Sequence, residues 1–198
     1  MRPTIFAAAL AVMALGACQP AQGEAAATVQ PANPSDPTLA TYSDPAVGIA
    51  FDHAADRQVR ACEVFEGEQP RPCVELVELI EGETVPLLRL LVVDGDLETV
   101  AREEAGFEPD AQGRWMTTYG RFEPVAVERF RSGDYQGMKA VVTCGIEGEN
   151  GFHAAGGECL WAVIGDGGRA VVATTDGLYG LDDATQATLN SVRLLPAG

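Results

Sequence analysis

The sequence is short of positive charge: 13 lysines and arginines stand against 29 aspartates and glutamates, a formal net charge of −16 over 198 residues. A chain of that sign repels the phosphate backbone of nucleic acid and anionic headgroups, so neither is an expected partner. Histidine is scarcer still, with two in the whole chain, His53 and His153. No G-x-S-x-G occurs, and Ser43, Ser132 and Ser191 fall in turn or helix contexts, which leaves serine nucleophiles without activation. Gly165-Asp166-Gly167-Gly168 lacks the lysine and the following helix of a phosphate loop. No pair of cysteines shows the two-to-four-residue spacing of zinc ligands, and there is no C-x-x-C redox pair. No apolar run reaches the roughly 20 residues needed to span a bilayer as a helix.

What the N-terminal segment does hold is Arg2, the apolar run Ile5 to Leu15 and then Leu15-Gly16-Ala17-Cys18. This is the layout of a processing signal and stands outside fold reasoning. Leu15-Gly16-Ala17-Cys18 resembles the lipobox of bacterial lipoproteins, in which a small residue precedes a cysteine that is lipidated before signal peptidase II cuts. The resemblance implies a signal peptide over residues 1–17, an acylated Cys18 and membrane attachment through lipid, which with about three chains gives stable anchoring. Gln19 follows the cysteine where an inner-membrane retention signal of enteric-type bacteria would have Asp. The expected location is therefore the outer membrane, facing the periplasm.

Residues Gln19 to Thr41 contain Pro20, Pro31, Pro34 and Pro37 and only two charges, Glu24 and Asp36. Residues 18–41 are expected to be a lipidated, disordered tether whose coil would reach roughly 25 Å. Residues 42–197 then form one globular domain, long enough to bury about two thirds of its unfolded surface.

Four further cysteines, Cys62, Cys73, Cys144 and Cys159, form an even set suited to an oxidising compartment. Val59 to Phe65 and Cys73 to Ile80 have strand character around a Gly- and Pro-containing turn, which sets Cys62 opposite Cys73. Met138, Ala140, Val142 and Cys144 alternate on one strand, as do Cys159, Trp161 and Val163 on another, setting Cys144 against Cys159.

Val47 to Phe51 is a first short strand, and Pro86 to Val93 is an apolar run suited to burial on both faces. Asp96 caps a helix over Leu97–Ala105, with Glu98 and Arg102 spaced to pair, and Gly106 ends it. Strands are expected over Arg114–Tyr119, Val125–Arg131, Gly137–Cys144 and Cys159–Ile164 as a meander, then Arg169–Thr175. A closing helix spans Asp183–Val192, with Asp183 and Gln186 approximating a capping box. Helices and a mostly antiparallel sheet segregate, giving α+β.

Three strings, Tyr42-Ser43-Asp44-Pro45 leading to Gly48-Ile49-Ala50-Phe51, Tyr135-Gln136-Gly137-Met138, and Leu189-Asn190-Ser191-Val192-Arg193-Leu194, resemble the Mog1/PsbP-like α/β/α sandwich fold of small envelope lipoproteins. The usual Pro after the opening Phe is replaced by His53-Ala54-Ala55. Members of that fold mostly bind or assist other proteins, so the resemblance implies a non-enzymatic binding or assembly accessory, without cofactor, and the acidic balance of the chain suits another envelope protein of basic character as its partner.

The rival chemistry is a metal-assisted hydrolase built from Asp52, His53, Asp56 and His153. A solvated strand end is the better account of the first three, and a long hairpin connection of His153. Glu147-Gly148-Glu149-Asn150 offers oxygen ligands for low-affinity divalent-cation binding but lacks the spacing of an EF-hand. Glu103 and Glu104 are an adjacent carboxylate pair, and Trp115 and Trp161 are expected in the core.

Overall fold

The computed structural model describes residues 38–63, 69–118, 123–144, 146–148, 151–153, 157–175 and 181–196. The signal segment, Cys18 and nearly all of the tether lie outside them, as do Phe65, Tyr119, Glu149 and Asn150.

The chain opens with β1 (Leu39–Asp44), β2 (Ile49–Ala54), β3 (Gln58–Ala61), β4 (Cys73–Ile80) and β5 (Glu83–Asp94). Helix α1 (Leu97–Ala105) leads to β6 (Phe107–Pro109), β7 (Trp115–Thr117), β8 (Val125–Ala126), β9 (Glu128–Ser132) and β10 (Tyr135–Thr143). A two-stranded excursion, β11 (Ile146–Gly148) and β12 (Gly151–His153), precedes β13 (Glu158–Gly165) and β14 (Arg169–Thr174). Helix α2 (Asp183–Asn190) and β15 (Arg193–Leu194) complete the domain.

Seven strands form the central sheet in the order β3-β4-β5-β14-β13-β10-β9, all antiparallel. A three-stranded sheet, β1-β2-β15, and helix α2 share one core with its first face: Ile49, Phe51, Leu189 and Val192 pack with Leu76, Leu88, Leu90 and Ile164. Helix α1 shares the other core, where Val100, Ala101, Ala105 and Phe107 meet Met138, Val142, Val163 and Val172. The architecture is therefore α+β, a mostly antiparallel sheet with one helix to each face. Strand alternation explains the two cores: in β5, Leu88 and Leu90 face one and Leu91 and Val93 the other.

Several local readings hold. The Asp96 carboxylate accepts from the Glu98 and Thr99 N–H groups at the start of α1. Gly106 closes the helix in the left-handed conformation at φ 61°, where a Cβ would be strained. Others change. The first strand starts at Leu39, inside the stretch taken for tether, because Leu39 to Thr41 pair with Asp52 to Ala54. Arg114–Tyr119 does not join the meander: β7 belongs to a separate sheet, β6-β7-β8. The expected strand Val125–Arg131 is two, and the chain crosses between sheets at Val127, whose N–H bonds the Trp115 carbonyl. The cap of α2 is Asp182, one residue earlier than expected, because it is Asp182 that turns its carboxylate onto the Thr185 N–H. Glu98 pairs with Arg129 at 2.8 Å rather than Arg102, whose guanidinium lies 4.9 Å from the Trp115 ring centre.

Two buried ionic nodes tie the edges of the layers. Arg57, its side chain 8 % exposed, reaches Glu78 on β4 and Asp182 and Thr185 at the start of α2. Glu75 on β4, 4 % exposed, takes Arg60 on one oxygen and Arg89 on the other. Each exchanges water for several charge-assisted hydrogen bonds, which is what lets a charge stay buried.

Candidate functional site

Alternation along β2 decides the fate of Asp52 and His53. Asp52 shares a face with its strand partner Thr41, accepts the Thr41 hydroxyl at 2.7 Å, and pairs with Arg193 at 3.2 Å. Those contacts, the Thr41 bond foremost, hold its carboxyl below the ordinary carboxylate range. His53 points the other way, nearly buried, with its ring beside Phe51 and Nδ1 at 2.9 Å from the Ala54 carbonyl. A metal needs ligands converging on one point, and neighbours on opposite faces of one strand do not converge. Asp56 lies in the exposed turn after β2, and His153 sits on β12 in a different sheet from β2. Among the described residues no three of His, Cys, Asp and Glu gather as a metal site. The hydrolase set is thus corrected: Asp52 ties β2 to β1 and β15, and His53 is a packed ring.

Of the serines, Ser132 is fully buried and donates at 2.9 Å toward both the Leu189 and Val192 carbonyls, and Ser191 accepts from the Asp52 N–H. Both fasten the end of α2, which is why a polar residue suits each position. Glu104 is held by Arg71 in a two-pronged pair with contacts of 2.7 and 3.2 Å, so the Glu103–Glu104 pair is not a free carboxylate dyad.

Cys62 is bonded to Cys73 and Cys144 to Cys159, each bridging neighbouring segments at Cα separations of 5.4 and 5.7 Å. The first closes β3 onto β4, and the second closes the β10–β13 pair beneath its excursion. Trp115 and Trp161 are both only partly buried, packed against the α1 core rather than inside it.

Sequence reasoning missed the surface relief around the end of α1. Two adjoining cavities, of about 200 and 590 Å³, share Gly106, Thr117 and Thr118. The smaller is floored by Val142 and Trp161, and the larger by Met116 with Pro109 and Pro124. Together they form a cleft around the helix end and β7, lined by apolar and polar groups alike and with Glu104, Glu108 and Asp110 on its rim; Met116 and its partner Glu108 lie on the opposite face of the small sheet from Phe107 and Thr117. On that rim Glu104 is paired with Arg71 and Asp110 with Arg114, while Glu108 has no ion pair among the described residues. Burial opposes ionisation of Asp110, but hydrogen bonds from the Arg114 N–H, the Arg114 guanidinium and the Gln112 N–H together keep its carboxyl below the usual range. The cleft arises because α1 stops at Gly106 and the chain leaves for the small sheet, exposing the far end of the central sheet. No local residue pattern announces such a gap.

No protein-family profile matches the sequence, and no curated protein shows significant similarity. Solved structures similar in arrangement include two that differ widely from it in sequence. One is a crystal structure from Bacteroides thetaiotaomicron VPI-5482, 10% identical with a TM-score of 0.37, covering 78% of this chain and 47% of that one. The chain thus spans about half of its length. The other is the solution structure of cyanobacterial PsbP (CyanoP) from Synechocystis sp. PCC 6803, 12% identical with a TM-score of 0.41, covering 80% of this chain and 94% of that one.

Proposed function

We propose that this chain is a lipid-anchored bacterial cell-envelope protein that acts as a binding or assembly accessory, without turnover of its own. Cys18 carries the anchor, residues 19–38 supply the reach, and the protein sits on the outer membrane facing the periplasm. The observation that carries the reading is the cleft at the end of α1, where Trp161 and Val142 line one part and Met116 the other, with Glu104, Glu108 and Asp110 at its edge. A concave, largely apolar surface with a few polar groups at its edge is what a partner segment needs for anchoring and orientation. Glu108, without an ion pair among the described residues, and a chain charge of −16 favour a segment that brings an apolar side chain beside a lysine or arginine. The alternative of catalysis by Asp52 and His53 is disfavoured by their opposite facing and their structural contacts. Low-affinity divalent-cation binding by the acidic surface is the remaining second reading.

The test combines two assays. Esterase, phosphatase, peptidase and glycosidase substrates should give no turnover with the purified protein, and zinc or calcium should give no thermal shift. Replacing both His53 and His153 by Ala should leave any cellular phenotype of the gene unchanged. Turnover abolished by His53→Ala would overturn the reading.

A further inference from the structure

The central sheet has two outer edges, and they are finished differently. At one end β3 is four residues long, and its Arg60 is held by Glu75 at 3.0 Å and meets Glu63 at 3.5 Å. At the other end β9 pairs only with β10, and among the described residues no backbone group bonds to its outer side. Ser132 and Tyr135 flank the two-residue turn Gly133-Asp134, with Gly133 at φ 54°, and so exchange the first pair of ladder hydrogen bonds. Alternation then turns the backbone groups of Phe130 toward Gly137 and leaves the N–H and C=O groups of Arg129 and Arg131 facing out, about 7 Å apart. The strand is also fixed in place, by Ser132 Oγ on the Leu189 and Val192 carbonyls and by the Phe130 ring over Gly137. A fixed, uncovered edge is a template on which an extended segment adds as a further strand.

The side chains select the segment. Arg129 and Arg131 lie opposite Met138 and Gln136 and therefore share the α1 face. Arg129 gives Nη2 to Glu98 at 2.8 Å and stands with Arg102 around the Trp115 ring. Arg131, exposed, gives Nη2 to the Asp134 carbonyl at 3.0 Å and forms no ion pair among the described residues. Three guanidiniums thus meet one carboxylate on this face, Glu98, with Asp134 in the turn beyond the strand. Glu103 lies about 100° round the helix from Arg102. Glu128, across from Lys139, belongs to the α2 face, where Lys139 reaches Gln186. Residues 119–122, between β7 and β8, bring Arg121 and no acid.

We propose that β9 takes an extended acidic segment of a partner protein as an eighth, antiparallel strand of the central sheet. Its main chain pairs with the outward groups of Arg129 and Arg131, and carboxylates two residues apart meet their guanidiniums on the α1 face. Charge on an edge excludes as well as admits: a basic strand is repelled, an apolar one leaves the guanidiniums unmatched, and an acidic one matches them. No residue of β9 lines the cleft at the end of α1, so either surface can fail without the other.

The test measures fluorescence anisotropy of labelled nine-residue peptides on the intact protein: one alternating Glu with Thr, and the same peptide with Lys or Gln in place of Glu. The Glu peptide should bind at least about tenfold tighter than either, by a margin that shrinks as salt rises. The residues opposite Arg129 and Arg131 are the ones that exchange hydrogen bonds with them, so methylating the Glu nitrogens should abolish binding and methylating the Thr nitrogens should not. Arg131→Glu, at an exposed side chain, should keep the thermal midpoint and weaken the Glu peptide at least about fivefold. No binding of the Glu peptide, equal or tighter binding of the Lys or Gln peptide, equal loss from both methylated sets, or an unchanged affinity in Arg131→Glu would overturn the proposal. So would a dimer that Arg131→Glu dissociates, since a second copy would then hold the edge.

Discussion

The ring of Phe130 lies over Gly137, its strand partner across β9 and β10, so closely that a Cβ at 137 would come within 2.4 Å of it. The glycine makes room for an aromatic near the sheet edge, and Lys139 Nζ sits 5.4 Å from the centre of the same ring. Gly137→Ala should therefore destabilise the domain by about 1–3 kcal/mol, since the ring must leave its position. Phe130→Ala combined with Gly137→Ala should cost less than the sum of the two singles, because they share one contact. Additive losses in denaturant melts would remove this account of the glycine.

Reduction of both disulfides should lower stability substantially, because closing loops of 11 and 15 residues contributes roughly 3 kcal/mol each in the chain-entropy model. Serine replacements of each pair, compared by chemical denaturation, check this. Peptide mapping of periplasmic protein should recover Cys62 with Cys73 and Cys144 with Cys159, and a crossed pair would contradict the strand registers.

Arg57 gathers Glu78, Asp182 and Thr185 at a point where its own side chain is nearly buried. Arg57→Met should cost about 1–3 kcal/mol, less than for a fully buried pair because both carboxylates keep contact with water. Urea melts showing no loss would mean the node contributes nothing net.

The disulfides, the cap of α1 and the glycine that ends it are legible in the sequence because each follows from local alternation or a single residue's chemistry. Asp182 and Asp183 are adjacent and equally able to cap, so only the path of the chain selects Asp182. The assignment of β7 to its own sheet follows from its pairing with β6 and β8, which the path of the chain after α1 decides and no pattern within Arg114–Tyr119 announces. Asp52 and His53 look like a ligand set when written side by side, yet strand alternation already separates them. The cleft is the least legible feature, since it is defined by where α1 ends and not by any residue that stands out.

Acid should weaken the domain. Burial opposes ionisation of Asp182, but its bonds from Arg57 and the Thr185 N–H prevail and lower its pKa from 3.8. The Asp52 carboxyl is lowered by Thr41, helped by Arg193, and the Asp96 carboxyl by the Thr99 N–H. The unfolded chain binds these protons at higher pH than the folded one, so the stabilisation is complete above about pH 5 and is lost as pH falls through the folded values. Thermal melts from pH 6 downward should show falling midpoints below about pH 4. Asp182→Asn should make the decline shallower, and an unchanged decline would exclude Asp182 as a contributor.

On the proposed anchoring, replacing Cys18 by Ala should abolish incorporation of labelled palmitate and leave an unprocessed precursor, and unchanged labelling would contradict it. Fractionation of the wild-type protein should recover it with the outer membrane, and exclusive recovery with the inner membrane would contradict the reading of Gln19.

Whether the chain works by binding through the cleft is tested most directly by site-specific photo-crosslinking in living cells. A photo-reactive residue at Met116, on the cleft floor, should yield a discrete protein adduct that weakens as external salt rises, while the same residue at the exposed Leu79 on β4 should yield none. No adduct from Met116, or the same adduct from both positions, would contradict a binding role for the cleft.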